Sequence, residues 1–266
     1  MYKKKTGSNY KRKFPAKKRS YRKKTGFITK PQLYRALNRS IETKQVSTTM
    51  AVTSFNSAIA SFGDLIKLLP PVQLGTDENQ RIGQTIKPVK LVIRGYVVFN
   101  TSAASLNLDA TMLGARLFAF QDKTFRSYTS TTTSNYQLLD GGGTAVSFTG
   151  TPLDYVRPHN SDMFTFYADK KMKILKPYGT TANTAINSVT AITSMNNTLF
   201  HPFTITLTAK QIPAFLKYDN VSSGEYPVNF APFLSLGYVN LITGVIDVAA
   251  TALAMEFCST LYYKDG

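Results

Sequence analysis

The first thirty residues contain ten lysines and three arginines but no aspartate or glutamate, which gives them a formal charge of +13. They contain almost no aliphatic side chain, so burial cannot offset the entropy lost on ordering the backbone. Arg35 and Arg39 bring the charge of residues 1–39 to +15. Residues 40–266 carry seventeen basic and fifteen acidic side chains, a net charge of +2. The sequence therefore predicts a disordered basic N-terminal arm, residues 1–30, joined to a nearly neutral folded body.

The body is typical of an all-β protein. Runs rich in Val, Ile, Thr, Phe and Tyr are separated by clusters of Gly, Asn, Asp and Pro. Phe118 and Phe120 share one face of their run, as residues two apart do in a strand. Phe203, Ile205 and Leu207 share one face of another run. The candidate strands are residues 45–56, 84–99, 111–121, 162–169, 171–176, 201–217, 231–240 and 249–263.

Three long linkers, residues 57–83, 122–161 and 177–200, interrupt the candidate strands. The first is predicted to hold a short helical turn at Asp64–Leu69, before two prolines. Loops of this length are uncommon in compact domains, but a jelly roll uses such loops for contacts between subunits. We therefore expect residues 44–266 to form one eight-stranded jelly-roll shell domain, with two packed four-stranded antiparallel sheets.

Residues 31–43 are predicted to form a short amphipathic helix that connects the arm to the body. Thr29 can cap it, Pro31 suits its first turn, and Leu or Ile recurs at positions 33, 37 and 41. Arg35 and Arg39 lie off that apolar stripe. Either the helix packs against the body and these arginines face nucleic acid, or the helix is an ordinary amphipathic connector. The sequence leaves both interpretations open.

Residues 75–100, G-T-D-E-N-Q-R-I-G-Q-T-I-K-P-V-K-L-V-I-R-G-Y-V-V-F-N, resemble the capsid proteins of circular Rep-encoding single-stranded DNA viruses, which are circovirus-like. The matching residues are Gly75, Arg81, Ile82, Gly83, Leu91, Ile93, Arg94 and Gly95. Phe164–Leu175 is similar to the family's strand that ends in an Asp-Lys turn. Lys217, Tyr218 and Asn229 match a later segment, and residues 261–265 resemble the C-terminal strand.

This resemblance implies a virion protein that self-assembles into a small icosahedral T=1 shell of about 60 copies. It also implies that the packaged partner is the single-stranded viral genome, a circular DNA. The basic clusters of the arm suit a nuclear localisation signal as well, which would place the protein in the host nucleus during assembly. A host receptor is implied without being identified.

Lysine and arginine bind phosphate through charge and counterion release, so the arm should bind nucleic acid strongly and without sequence preference. Tyr2, Tyr10, Phe14 and Tyr21 lie among the basic clusters and can stack on unpaired bases, which favours single strands. The predicted nucleic-acid-binding residues are Lys3, Lys4, Lys5, Lys11, Arg12, Lys13, Lys17, Lys18, Arg19, Arg22, Lys23, Lys24, Lys30, Arg35 and Arg39.

Other chemistry finds little support in the sequence. Cys258 is the single cysteine, which excludes an intrachain disulfide and a cysteine-based zinc site. His159 and His201 each adjoin a proline without a partner at metal or triad spacing, so both are interpreted as loop histidines. Gly141–Gly143 predicts a turn rather than a phosphate cradle.

Asp77 and Glu78 could help to hold a calcium ion between subunits, but a solvated loop is the preferred interpretation. The carboxylates form no recognisable catalytic order, so we expect neither an enzyme nor a bound cofactor. The charged N-terminus has no apolar signal region, and no segment suits a membrane span, so no membrane partner is expected.

Two other function classes remain to be separated from a capsid protein. A cellular nucleic-acid-binding protein, of the ribosomal or chromatin type, would also carry a basic tail, but such proteins generally spread positive charge over the folded surface. The near-neutral body argues against this alternative. A jelly-roll carbohydrate-binding module would usually expose tryptophan, which the chain lacks, and would leave the basic arm unexplained.

Overall fold

The computed structural model describes residues 42–59, 64–99, 112–128, 137–175, 200–219, 224–242 and 251–265, together with Lys30 and Leu33. The chain divides into two compact units, residues 1–40 and 41–266. Lys30 and Leu33 are helical and exposed, and the remaining residues of the predicted connector up to Ile41 lie outside the described residues. The boundaries proposed for the arm and the connector therefore stay predictions.

The described part of the second unit holds eleven strands and one short helix, α1 (Pro152–Val156). Eight of the strands build the two main sheets: β1 (Thr43–Phe55), β2 (Ile66–Lys67), β3 (Thr85–Phe99), β4 (Met112–Asp122), β7 (Phe164–Leu175), β8 (Phe200–Thr208), β10 (Pro232–Asn240) and β11 (Leu253–Asp265). The other three are β5 (Leu139–Asp140), β6 (Ala145–Val146) and β9 (Leu216–Lys217).

The strand order is that of a jelly roll. Sheet 1 has the order β1-β11-β3-β8, with β9 paired to β3, and sheet 2 has the order β2-β10-β4-β7. We number the eight strands that build the two main sheets in chain order. The first then pairs with the last, the second with the seventh, the third with the sixth and the fourth with the fifth, all antiparallel. This nested pairing is a long hairpin wrapped into two sheets, so the predicted fold class is confirmed.

The core lies between the two sheets. Alternating residues of β3 and β11 point inward and are fully buried, among them Ile93, Val97, Met255 and Leu261. All nine residues of β10 are buried, so both faces of sheet 2 are covered. The connection between β4 and β7 covers the outer face: Phe148 packs against Phe118 of β4 with ring centroids 6.1 Å apart. The outer face of sheet 1 has no such layer among the described residues.

The candidate strands are found where the sequence places them, with three corrections. Residues 162–169 and 171–176 form one strand, β7, in which Asp169 and Lys170 pair with Phe118 and Leu117 of β4 instead of making a turn. A bulge at Tyr167 is the irregularity, since Ala168 and Phe166 pair with consecutive residues of β4. The Asp-Lys pair stays in the strand because Asp169 is held by an arginine of β4.

Residues 201–217 are two strands, β8 and β9, because the chain turns at Gln211. Its side-chain oxygen accepts hydrogen bonds from the backbone N–H and the hydroxyl of Thr208, at 3.0 and 3.2 Å. The helical turn predicted at Asp64–Leu69 is wrong beyond Asp64, which is in a 3₁₀ turn, because Ile66 and Lys67 form β2 and pair with β10. The described strands therefore number eleven, not eight, because short extra strands form within the long connections. The described residues include no helix long and apolar enough to cross a membrane.

Candidate nucleic-acid interface

Of the fifteen predicted nucleic-acid-binding residues, Lys30 is the one within the described part of the chain, where it is exposed. Lys3, Lys4, Lys5, Lys11, Arg12, Lys13, Lys17, Lys18, Arg19, Arg22, Lys23, Lys24, Arg35 and Arg39 lie outside the described residues. Their role in binding therefore remains a prediction that rests on charge and composition.

The described residues hold a second group of cations, on the outer face of sheet 1. Residues of β3 alternate between the buried inner face and the outer face, so its charged side chains share one side. β11 and β9 add cations at registered positions: Lys264 pairs with Lys87, and Lys217 pairs with Thr85. The members of this basic face are Lys87, Lys90, Arg94, Lys217 and Lys264.

The described outer face of sheet 1 holds one carboxylate, Glu256, against these five cations. The face thus has a net charge of +4, whereas residues 40–266 as a whole have +2. The remaining twelve basic and fourteen acidic side chains of that segment have a net charge of −2. Positive charge in the body is therefore concentrated on one face, which a count over the sequence does not reveal.

Aromatic rings lie among these cations. The Lys90 ammonium is 4.5 Å from the centroid of the Tyr262 ring, beside it on the outer face. Further along β3, Tyr96 stacks on Phe200 of β8 with ring centroids 4.8 Å apart. Phe200 is 51% exposed. Tyr96 also donates a hydrogen bond to Glu256, which holds the ring in place at the end of the face.

Sequence reasoning missed this face because its members come from three segments of the chain. Lys90 and Arg94 belong to residues 75–100, Lys217 matches a later segment of the family resemblance, and Lys264 lies within residues 261–265, yet nothing in the sequence shows that these segments are neighbours in one sheet. The available signal was local: Lys87, Lys90 and Arg94 occur at spacings that a strand with one bulge places on a single side.

Arg81, from the Arg-Ile-Gly sequence, is an internal clamp rather than a surface cation. Its side chain is 1% exposed. It donates hydrogen bonds to the carbonyls of Gly83 at 2.7 Å, Gly224 at 3.1 Å and Val72 at 3.4 Å. Its guanidinium lies 4.6 Å from the centroid of the Tyr218 ring. Arg81 thus joins the loop between β2 and β3 to the loop between β9 and β10.

The next residue, Ile82, is held outward at the surface. Its backbone N–H donates to Asp265 Oδ2 at 2.7 Å, and its side chain is 69% exposed. The same carboxylate accepts from Lys44 at 3.3 Å, which joins the start of β1 to the end of β11. The Arg-Ile-Gly turn therefore presents a fixed apolar side chain to solvent.

Arg116 is a second buried clamp, on the outer face of sheet 2. It pairs with Asp169 of β7 and donates to the carbonyls of Asp154 and Arg157, at 2.6 and 2.8 Å. These contacts fix the connection containing α1 onto β4. The helix leaves Leu153 and Val156 exposed, at 52% and 62%.

The two histidines and the glycine run, to which the sequence analysis gives no functional role, lie in packing contacts, a strand and a turn. His159 Nδ1 is 3.5 Å from Asp169 Oδ2 and its ring packs on Phe166. His201 lies within β8, so its interpretation as a loop histidine is wrong; the strand runs through the His-Pro pair at the sheet edge. Gly141–Gly143 forms the hairpin turn between β5 and β6, with Asp140 accepting from the N–H groups of Gly142 and Gly143.

Asp77 and Glu78 lie exposed in the loop between β2 and β3. Among the described residues, no group of three His, Cys, Asp or Glu side chains is placed to hold a metal ion.

No protein-family profile matches this chain, and no curated protein matches it. Solved structures that match this chain, at low scores, include capsid proteins. The decameric BFDV capsid protein is 11% identical, with a TM-score of 0.30, over 84% of this chain and 97% of that chain. The 60-mer BFDV capsid protein is 10% identical, with a TM-score of 0.27, over 84% and 91%.

The infectious bursal disease virus VP2 subviral particle is 12% identical, with a TM-score of 0.21, over 85% of this chain and 42% of that chain. Superposition at these scores is partial, and the jelly-roll assignment rests on the strand order of this chain.

Proposed function

We propose that this chain is a viral capsid protein that self-assembles into a small icosahedral shell and packages single-stranded nucleic acid through its basic N-terminal arm. The observation that carries the proposal is the nested pairing of eight strands in a nearly neutral unit, preceded by thirty residues with a charge of +13. Such a division assigns shell contacts to the jelly roll and phosphate binding to the arm.

Exposed apolar side chains support self-association. Ile82 and Val156 are the most exposed of the large apolar residues that the structure describes, at 69% and 62%, and each is presented by a loop or helix that a buried arginine anchors. Leu153 and Phe215 are about half exposed, at 52% and 51%. Apolar groups fixed at a surface are suited to burial against another subunit, because removal of their area from water favours association.

The finer features of the proposal follow the sequence resemblance. The shell would contain about 60 copies in a T=1 arrangement, and the partner would be a circular single-stranded DNA. The protein would reside in the virion, with a nuclear stage during assembly that uses the basic clusters as an import signal. The expected mechanism is structural, with no catalytic step and no cofactor.

The test is expression of the full-length chain, followed by negative-stain electron microscopy and ultraviolet spectroscopy of one size-exclusion fraction. We expect uniform spheres that contain nuclease-protected nucleic acid. A matched variant replaces the thirteen basic residues of 1–30 with glutamine, and it should assemble or fold normally while losing the nucleic acid. A nucleic-acid content equal to that of the native particles in this variant, at physiological salt, would refute packaging by the arm.

The basic face of sheet 1 favours a second candidate, a cellular nucleic-acid-binding protein. Such proteins carry positive charge on the folded surface, and here five cations share one face. The neutral total charge of the body is therefore a weaker argument against this class than the sequence suggests. A stable monomer that binds nucleic acid at all salt and pH conditions, without forming particles, would establish this alternative.

A further inference from the structure

We propose that the outer face of sheet 1 is a second nucleic-acid-binding surface, which takes the phosphates and unpaired bases of a single strand. This inference rests on the proposed function and deepens it, because it assigns part of the binding to the folded unit rather than to the arm alone. The surface consists of the basic face together with Tyr96, Phe200 and Tyr262.

The charge of the surface points to a polyanion. Five cations and one carboxylate lie on this face, while the rest of residues 40–266 has a net negative charge. Lys87 and Arg94 are seven residues apart on one strand, so the cations extend over about 23 Å. A linear chain of phosphates can satisfy such a row, whereas one small anion cannot.

The aromatic groups point to unpaired bases. Phe200 stacks on Tyr96 with one side and is 51% exposed, so it offers a platform at the Tyr96 end of the face, and Tyr96 is two residues from Arg94 along β3. Hydroxyl groups of Thr204 and Thr206 line the adjacent edge strand and can donate to phosphate oxygens. Bases stack on aromatic side chains without sequence preference, and a duplex would keep its bases out of reach.

The path of the chain agrees with this assignment. β1 begins at Thr43, which pairs with Lys264, so the polypeptide enters sheet 1 at the basic end of the face. The other candidate surface, the outer face of sheet 2, is covered by the connection between β4 and β7. Within the described part of the chain, the outer face of sheet 1 is therefore the sheet face that no other segment covers.

The test compares three full-length variants, each with three fewer positive charges. K87Q/K90Q/R94Q changes the face, K123Q/K173Q/K210Q changes exposed lysines elsewhere, and K3Q/K4Q/K5Q changes the arm. Affinity for a fluorescent oligothymidylate is measured by anisotropy across a range of salt concentrations. Each lost phosphate contact lowers the slope of log affinity against log salt by about 0.7, so the face variant should lose about 2.

The outcomes separate the inference from the proposed function. A slope reduced by the face variant and unchanged in the K123Q/K173Q/K210Q control supports the inference. If the face variant behaves like that control while the arm variant loses binding, the inference is wrong and the arm function stands. If the arm variant changes neither the affinity nor its salt dependence, the proposed binding by the arm is wrong. The result for the face variant then decides the inference independently.

A second measurement uses the unaltered protein, in case the face variant folds poorly. Ultraviolet cross-linking to oligothymidylate, followed by peptide mass spectrometry, should mark the peptides that contain Tyr96, Phe200 or Tyr262. Cross-links confined to residues 1–39 would overturn the inference. A face variant that binds normally but sediments as smaller assemblies would also overturn it, and would assign the face to contact with a second copy.

Discussion

Arg116 and Asp169 form a two-point ion pair across neighbouring strands, with Nε 2.8 Å from Oδ1 and Nη2 2.6 Å from Oδ2. Arg116 is 1% exposed. The pair holds the strand β7 to β4 at the point where the sequence suggests a turn, and its arginine also anchors the loop that covers sheet 2. One buried side chain thus fixes both the sheet edge and the layer above it.

Replacement of Asp169 by asparagine should destabilise the fold by about 3 kcal/mol, because it leaves a buried guanidinium without its carboxylate. Burial by itself raises the pKa of Asp169, but the hydrogen bonds and charge of Arg116, with Lys171 and His159, lower it overall. Stability from this group is therefore complete above its unfolded pKa of about 3.9 and is lost as the pH falls through the lower folded pKa.

Thermal unfolding of the native chain and the D169N variant between pH 2 and 7 tests this. The native chain should lose more stability than the variant as the pH falls below about 4. The variant D162N, at an exposed position of the same connection, is the control and should follow the native curve. Parallel curves for the native chain and D169N would contradict the assignment.

Arg81→Lys should reduce the free energy of unfolding by about 2 kcal/mol, although it conserves the charge. An ammonium group cannot reproduce the fork that reaches the carbonyls of Gly83, Gly224 and Val72. Urea unfolding measures the loss, with the exposed Arg126→Lys as the control that should change by less than about 0.5 kcal/mol. Equal stabilities of the two variants would show that charge alone matters at residue 81.

Gly95 and Gly83 both belong to the segment that resembles the capsid family, yet alanine should affect them differently. A Cβ atom at Gly95 would collide with the Glu256 carbonyl and lie 2.5 Å from Phe257 Cβ and 2.8 Å from Phe203 Cζ. We expect Gly95→Ala to cost about 1–3 kcal/mol or more. A Cβ atom at Gly83 would lie 4.0 Å from its nearest neighbours, the backbone N and O of Thr85, and the φ angle of Gly83 is not positive.

Gly83→Ala should therefore be neutral or stabilise the fold by up to about 1 kcal/mol. Chemical unfolding of both variants measures the difference. A larger loss at residue 83 than at residue 95 would be inconsistent with the packing of β3 against β11.

Tyr128→Phe should cost about 1–2 kcal/mol at neutral pH. The Tyr128 hydroxyl donates to the Pro232 carbonyl at 2.6 Å and accepts from the Leu69 N–H at 3.3 Å. Burial raises the pKa of this tyrosine far above its ordinary value, although the backbone hydrogen bonds of Leu69 and Leu68 act to lower it. Its stabilising effect is therefore complete below the unfolded pKa of about 10 and is lost as the pH rises above it.

Unfolding measured between pH 8 and 11 should show a steeper loss for the native chain than for Y128F. Tyr167 and Tyr263, whose pKa values burial raises to about 12 each, keep part of the alkaline sensitivity in both proteins. Tyr262→Phe, on the open face of sheet 1, is the control. An alkaline profile that Y128F leaves unchanged would exclude a role for Tyr128 in it.

The sequence by itself determined the basic arm, the all-β class and the places of the long strands. These properties depend on local composition and on alternation with a period of two, which the chain shows at Phe118 and Phe120 or at Phe203 and Ile205. They need no knowledge of which strand pairs with which. The long linkers and the family resemblance then indicated a jelly roll without its strand pairing, and the nested pairs confirm that fold class.

Only the tertiary structure decided what depends on distant pairing. The pairing of Lys87 with Lys264 joins cations separated by most of the folded unit into one face. Arg81 and Arg94 look equivalent in the sequence, yet one is buried beneath carbonyls and the other lies exposed. Asp169 extends a strand because Arg116 lies opposite it. A residue's charge is local, but the partner that neutralises, buries or groups it comes from elsewhere in the chain.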